Sequence, residues 1–342
     1  MTHCSTQPEA RASGTAATPR RAAQPAVFSR IAGTGSYLPE KVLSNFDLEK
    51  MVDTSDQWIR ERTGIERRHI AADGQTTVDL AEQAARAALD VAGLAPGEVD
   101  FIAFGTTTPD MVFPNCGVLL QARLGCRGVA AFSIETACSG FMYALSIADK
   151  FVRAGEAKHA LVIGAETLSR IVDWNDRSTA ILFGDGAGAV VLEPAEAPGI
   201  FSTHLHADGA YKDLLYCGGG MDLSKVRRTI AMSGNEVFKV AVGTLGKAIE
   251  ETLAANGIER SELDWLVPHQ ANLRIIQATA RRIDLPMERV ITTVQDHGNT
   301  SAASVPLALD AAVRAGRIRR GQLLLLEAFG GGFTWGSALL RY

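Results

Sequence analysis

From residue 88 the chain reads ALDVAGLAPGEVDFIAFGTTTP, and from residue 251 it reads ETLAANGIERSELDWLVPHQAN. In each stretch a helical pattern stops at a glycine, Gly93 or Gly257, and seven residues later an aspartate, Asp100 or Asp264, precedes a short apolar run. A short apolar run bounded by turn residues predicts a buried strand. Further along, a second helix ends in VRAG twice, at Val152–Gly155 and Val313–Gly316, and apolar strands follow at Leu161–Gly164 and Leu323–Leu326. Chance supplies a four-residue match easily, but not the same order of helix, glycine, aspartate, strand, helix and strand in both places. The chain is therefore an internal duplication.

Strands alternating with helices predict an α/β protein with mostly parallel sheets, because parallel strands need crossover connections. Two such halves face to face would bury a helix layer between two sheets. The expected boundaries are a tail over residues 1–26, an N-terminal half over 27–196 and a C-terminal half over 197–342. Counted back from the matched glycines, Cys138 stands 17 residues before Gly155 and Asn299 stands 17 before Gly316. That count places both at equivalent strand-to-helix junctions, which a pseudo-twofold axis would bring together. His269 follows Asp264 by five residues, at the carboxyl end of its strand, where open α/β sheets carry their chemistry.

Composition narrows the function. Of 342 residues, 46% are hydrophobic and 21% charged, enough to bury a large core. A formal net charge of -4 gives no long-range attraction to nucleic acid or an anionic membrane, so neither is expected as a partner. The five cysteines, Cys4, Cys116, Cys126, Cys138 and Cys217, are odd in number and form no CxxC pair. That argues against a disulfide framework or a zinc site. No apolar run approaches the roughly 18 residues of a membrane helix, and a soluble cytoplasmic protein is expected. Residues 1–26, rich in Ala, Thr, Ser, Pro and Arg, have no apolar period and predict a flexible extension.

Cys138 lies in SIETACSGFMYALSIADKFV, where the strand AAFSI gives way to small residues and then to a helix periodic in Phe141, Leu145 and Ala148. A thiol at a helix N-terminus faces the positive end of the dipole, which favours thiolate and predicts a lowered pKa. His269, in DWLVPHQANLRII, can project into a cleft from a fixed backbone and assist deprotonation of the thiol. Asn299, in QDHGNTSAASVPLAL, is read as a hydrogen-bond donor, with capping of the next helix left to Thr300 or Ser301. FGDGAGAVVL precedes a strand rather than opening a helix after one, so it is read as a close-packed turn and not a dinucleotide fingerprint. FGGGFTWG offers bare backbone N–H groups suited to an oxyanion. No histidine stands at metal-ligand spacing, and no metal or cofactor is expected.

The blocks GTGSYLPE, DQWIRERTGI, TACSGF, FGDGAGA, HADG, GNEVFKV, VPHQANLRI, HGNTSAAS and LLEAFGGGFTWGSALLR occur in that order. From about Ile31 to Tyr342 the chain resembles the β-ketoacyl-[acyl-carrier-protein] synthase III family. The resemblance implies a thiolase-like, five-layered αβαβα fold and a homodimer that condenses an acyl-CoA primer, acetyl-CoA by expectation, with malonyl-acyl carrier protein. It makes Cys138 the acylated nucleophile, His269 and Asn299 the donors to the malonyl thioester oxygen, and the N–H groups of Cys138 and Gly331 the oxyanion hole. Thr54, Trp58, Arg62, Arg177 and Asn235 are implied to bind CoA, with Trp58 and Arg177 sandwiching the adenine. Leu168 and Met232 are implied to line the primer pocket, and Phe113 to reach into the partner's. Lys239, Arg274, Arg281 and Arg282 correspond to a basic face that docks an acidic carrier protein, although a solvated helix surface would look much the same at Arg281 and Arg282. A related fold without enzyme activity would be expected to lack one of Cys138, His269 or Asn299; all three are present.

Overall fold

The computed structural model describes residues 28–220 and 228–342. The tail expected over residues 1–26 lies outside the described residues. Strand β1 (Phe28–Tyr37) leads to helices α1 (Asp56–Thr63) and α2 (Thr77–Ala92). Then come β2 (Phe101–Gly105), α3 (Cys116–Leu124), β3 (Ala130–Ile134), α4 (Gly140–Arg153), β4 (Ala160–Thr167) and β5 (Asp185–Ala195). The second series runs β6 (Ile200–Ala207), α5 (Gly234–Asn256), β7 (Trp265–Pro268), α6 (Leu273–Arg282), α7 (Ser304–Arg314), β8 (Leu323–Gly330) and β9 (Thr334–Arg341).

The first sheet has the order β1-β5-β4-β2-β3, and the second has β6-β9-β8-β7. A lone parallel bridge from Leu266 to Val290 stands where a fifth strand of the second sheet would lie. The two sheets thus repeat one plan. They are more mixed than the alternation of elements predicts. β2 runs parallel to β3 and β4, and β7 to β8, but β1–β5, β4–β5, β8–β9 and β6–β9 are antiparallel. The cause is local: β8 and β9 are joined by the short turn Gly331–Phe333, which returns the chain directly and has no room for a crossover.

Alternate residues of each strand face opposite layers. Phe101 and Ala103 of β2, with Leu324, Leu326 and Ala328 of β8, pack on Phe141 and Leu145 of α4 and Leu309 of α7. Ile102 and Phe104 face the outer helix α2, while Leu323 and Leu325 face α5 and α6. The order from outside to outside is helices, sheet, helices, sheet, helices, so the fold is the five-layered αβαβα arrangement. The glycines of Asp185–Ala195 lie within β5 rather than in a turn. A Cβ on Gly188 would stand 2.7 Å from the backbone nitrogen of Leu307, so glycine lets α7 lie directly on the sheet.

The duplication shifts register within the central helices. Gly93 and Gly257, Asp100 and Asp264, and the left-handed residues Ala137 (φ 47) and Ser301 (φ 49) are all 164 positions apart. The VRAG glycines are 161 apart, because α4 has 14 residues and α7 has 11. Equivalence counted from those glycines therefore fails at the junctions. Cys138 corresponds to Ala302, and Asn299 stands three residues earlier. The two junctions still meet, and the isolated bridge Phe183 to Asn299 anchors the second beside the first.

Candidate active site

Cys138 sits in the 3₁₀ turn Ala137–Ser139 that opens into α4. Ser139 Oγ and Thr334 Oγ1 both donate to the Thr136 carbonyl, at 2.7 and 3.0 Å, and fix this turn against β9. The end of β8 passes so close that a Cβ on Gly330 would lie 2.6 Å from the Cys138 nitrogen. Only glycine permits that approach, and it brings Gly331 to the same cavity as the thiol. The expected thiolate is not what this environment favours. Cys138 is 7% exposed, and burial pushes its thiol up to about 12, with the charge of Glu166 adding to the rise and the Ser301 hydroxyl opposing it. Loss of water is the largest cause, and it favours the neutral thiol.

His269 continues β7, and its N–H donates to the Glu327 carbonyl at 2.8 Å. Its Nδ1 lies 2.6 Å from Ser304 Oγ, which also accepts from the Gln270 N–H at 3.3 Å. When Ser304 Oγ donates to Nδ1, the imidazole carries its own proton on Nε2. Burial holds the ring down to about 3, so it is neutral. A neutral ring with Nε2–H is a hydrogen-bond donor rather than a base for the thiol. Gln270 steadies the segment by donating to Pro268 and Ile291 carbonyls and accepting from Thr293 and Val294.

Asn299 is held by backbone bonds to Leu182 and Gly184, at 2.9 and 3.0 Å. Its Oδ1 accepts from the Ser301 N–H at 2.9 Å, which leaves the Nδ2 hydrogens for the cavity. Neither Thr300 nor Ser301 caps the following helix through its side chain, contrary to expectation, because the 3₁₀ turn Ser301–Ala303 includes Ser301 and comes between Thr300 and that helix.

Cys138, His269 and Asn299 line one cavity of about 110 Å³, with Phe329 and the faces of α5 and α6 around it. A second cavity, of about 100 Å³, contains Leu168, Ile230, Ser301 and Gly331. Cys138, Phe183 and Leu215 line both, so the sulfur stands where the two meet. Met232 falls in the first cavity, not beside Leu168, because the short strand Ile230–Met232 carries Ile230 into the second cavity and Met232 past it. Phe113 lines neither and is 83% exposed, next to exposed Val112.

The remaining expected residues divide by position. Arg62 and Arg177 lie 4.7 and 4.6 Å from the centroid of the Trp58 ring, and Arg177 Nη1 donates to the Asp53 carbonyl at 3.0 Å. A planar base between Trp58 and Arg177 would need roughly 7 Å, two van der Waals spacings. The slot expected to take adenine is therefore closed by Arg177 itself. Thr54 Oγ1 is buried without a partner among the described residues, and Asn235 is exposed on the first turn of α5. Lys239 and Arg274 are exposed near the first cavity, with Arg274 5.7 Å over the Phe238 ring. Arg281 and Arg282 lie about 10 Å further along α6. Arg282 is laid across α5, where a Cβ on Gly246 would meet its Cδ.

Two carboxyl groups beside the site escaped the sequence analysis. Glu166 and Glu327 each interrupt an otherwise apolar strand, which is the signal that marked them, and both are fully buried. Glu327 has neither oxygen bonded among the described residues, and burial pushes it up to about 8. Also among the described residues, no cluster of three or more His, Cys, Asp or Glu could hold a metal, and no helix is long and apolar enough to cross a membrane.

A family model described as 3-oxoacyl-[acyl-carrier-protein] synthase III matches residues 132–209, and its C-terminal counterpart matches residues 253–342. A β-ketoacyl-[acyl-carrier-protein] synthase III of Xanthomonas campestris pv. campestris is 64% identical over 321 residues, 92% of this chain and 99% of the relative. One from Thioalkalivibrio sulfidiphilus is 62% identical over 320 residues, again 92% and 99%. The crystal structure of 3-oxoacyl-[acyl-carrier-protein] synthase III from Aquifex aeolicus superimposes with a TM-score of 0.88 at 50% identity, covering 92% of this chain and all of that one. With the repeated thiolase-like fold and the converging Cys, His and Asn, these likenesses mean that the chain belongs to the β-ketoacyl-[acyl-carrier-protein] synthase III family of condensing acyltransferases, which initiate fatty-acid synthesis.

Proposed function

We propose that this enzyme transfers the acyl group of an acyl-CoA, acetyl-CoA in the first instance, to Cys138 and condenses it with malonyl-acyl carrier protein. The supporting observation is the position of Cys138, shared between a cavity holding His269 and Asn299 and a second, mainly apolar cavity on its other side. In the first half-reaction the sulfur attacks the thioester carbon, the C–S bond to CoA breaks, and the carbonyl oxygen takes its charge toward the N–H groups of Cys138 and Gly331. The acyl chain then rests beside Leu168. In the second, malonyl loses carbon dioxide while His269 Nε2–H and Asn299 Nδ2–H meet the enolate oxygen. The enolate carbon attacks the acyl group, the Cys138 C–S bond breaks, and the product leaves as 3-oxoacyl-acyl carrier protein.

CoA enters past Trp58, Arg62, Thr54 and Asn235 once Arg177 swings off the indole. The carrier protein docks on Lys239 and Arg274, with Arg281 and Arg282 at the edge. No metal or cofactor takes part in this scheme. Two copies assemble so that the exposed Phe113 of one reaches the primer cavity of the other. The test is intact mass after mixing with acetyl-CoA and longer acyl-CoAs, followed by malonyl-carrier protein. A single acyl adduct that disappears with release of carbon dioxide supports the reading, and the absence of an adduct with every acyl-CoA overturns it.

A further inference from the structure

The neutral imidazole of His269 has one proton to place, on Nδ1 or on Nε2. Nδ1 is turned to Ser304, 2.6 Å from its hydroxyl oxygen, so Nε2 is the nitrogen left for the cavity that the ring lines. With the proton on Nε2 the ring offers that cavity a donor. With the proton on Nδ1 it offers a bare acceptor, which an enolate oxygen would repel.

Ser304 opens α7 and is 1% exposed. Among the described residues its hydroxyl oxygen has two partners, His269 Nδ1 and the Gln270 N–H at 3.3 Å. A backbone N–H can only donate, so toward Gln270 the oxygen accepts. The hydroxyl proton then needs an acceptor of its own. Thr63 and Thr252 give theirs to the carbonyl four residues back, at 2.7 Å in each case. Ser304 makes no such bond among the described residues, and Nδ1 is the acceptor within reach. Were Nδ1 to carry the ring proton, Ser304 would receive two donors and its own proton would be buried without a partner, an arrangement that protein interiors avoid.

Both neighbours of this hydroxyl are held from elsewhere. A Cβ on Gly164 would run into the Ala302 carbonyl, and one on Gly188 would stand 2.7 Å from the Leu307 nitrogen, so the first sheet grips the chain on either side of Ser304. The side chain of Gln270, bonded to Pro268, Ile291, Thr293 and Val294, fixes the N–H that Ser304 accepts.

We propose that Ser304 is a positioning residue for malonyl decarboxylation: it fixes His269 as the Nε2–H tautomer and so makes the ring a donor to the thioester oxygen, an inference that rests on that reaction taking place here. As the bond to the departing carboxyl group breaks, its electron pair passes into the enolate and charge gathers on that oxygen. The Nε2 proton stays on the ring throughout. Acylation of Cys138, whose oxyanion is met by backbone N–H groups, does not depend on the tautomer.

The experiment is nitrogen-15 NMR of the full chain labelled at its histidine rings, near neutral pH, with the His269 signals assigned by their loss in His269→Ala. A ring nitrogen without a proton resonates far downfield of one that carries it, and couplings to the ring C–H protons tell Nδ1 from Nε2. Wild type should show a bare Nδ1 and a protonated Nε2. In Ser304→Ala the signals should move toward a mixture of tautomers. Single-turnover malonyl decarboxylation by that variant should slow about 10- to 100-fold, the usual loss when the partner that fixes a histidine tautomer is removed, with acylation by acetyl-CoA near the wild-type rate. Ser304→Thr keeps the hydroxyl and should keep both tautomer and rate; if it does not fold, the wild-type spectrum still decides. A proton on Nδ1 in wild type overturns the proposal, as does decarboxylation by Ser304→Ala at the wild-type rate. Equal slowing of both half-reactions, which a merely structural role would give, overturns it too. Failure of wild type to decarboxylate malonyl-carrier protein would instead overturn the proposed function.

Discussion

Glu327→Gln isolates the energetic consequence of a buried, unpartnered acid. Folding takes the Glu327 carboxyl from water into β8, and its pKa rises from the ordinary 4.5 to about 8. Between those values the folded chain holds a proton that the unfolded chain has lost, so stability falls as pH rises through the window. The slope approaches about 1.4 kcal/mol per pH unit, and it flattens near 8 as the folded acid also ionises. Between pH 6 and 8 the loss assigned to Glu327 is about 2 kcal/mol. The buried histidines have the opposite sign. His269 and His297 are held down to about 3 and about 4, so their contribution grows as pH rises and is nearly complete by about 6.5. Equilibrium guanidinium unfolding at pH 6 and 8, followed by tryptophan fluorescence, should show wild type losing about 2 kcal/mol more than Glu327→Gln over that interval. A lower baseline for the variant does not affect this difference. Equal losses in the two proteins would mean that the carboxyl is ionised or partnered throughout, and would refute the reasoning from burial.

Asn299→Ala should acylate at a rate near wild type yet lose malonyl decarboxylation by about 10² to 10³, the typical loss for one oxyanion donor; equal slowing of both half-reactions in single-turnover assays would contradict the assignment. His269→Ala should likewise act mainly on decarboxylation, since its Nε2–H is a donor, and a larger loss in acylation would make the ring a base. Arg274→Glu should raise KM for malonyl-carrier protein more than Arg281→Glu does, with KM for acetyl-CoA unchanged. Wild-type KM for the carrier should also rise with salt, because exposed charges are screened within about 10 Å at 0.1 M; a salt-independent KM would remove the electrostatic docking face. Arg177→Ala frees the Trp58 slot but removes one stacking partner, so KM for acyl-CoA should rise with little change in kcat, and an unchanged KM would place CoA elsewhere.

The repeat was legible because close packing imposes it on sequence: Gly93 and Gly257, which end helices, and Asp100 and Asp264, which precede buried strands, recur at a 164-residue spacing. The same logic failed at Asn299, because α7 is shorter than α4 and the register shifts inside the pair. Strand direction was only half legible, since apolar runs do not record whether a turn or a crossover joins them. The triad was visible from its junctions, but its protonation was not. A helix terminus near Cys138 can be read from sequence, whereas the burial that dominates its thiol depends on Phe183, Leu215 and Gly331 arriving from distant segments. Glu166 and Glu327 showed only as acids in apolar strands, and what distinguishes them is tertiary: one has a collar of threonine donors and the other has none. The position of Met232 likewise depends on how far along a three-residue strand each cavity lies.

The central claim is that Cys138 carries the acyl group between the two substrates, and peptide-resolved mass spectrometry of the acetyl-CoA-treated enzyme tests it most directly. The account predicts one acetyl group, on the peptide containing Cys138 and absent from Cys116, Cys126 and Cys217, that is lost on addition of malonyl-carrier protein as 3-oxobutyryl-carrier protein and carbon dioxide appear. Cys138→Ser should show neither adduct nor product. Acetyl on another residue that discharges at the turnover rate, or product from Cys138→Ser at the wild-type rate, would contradict it.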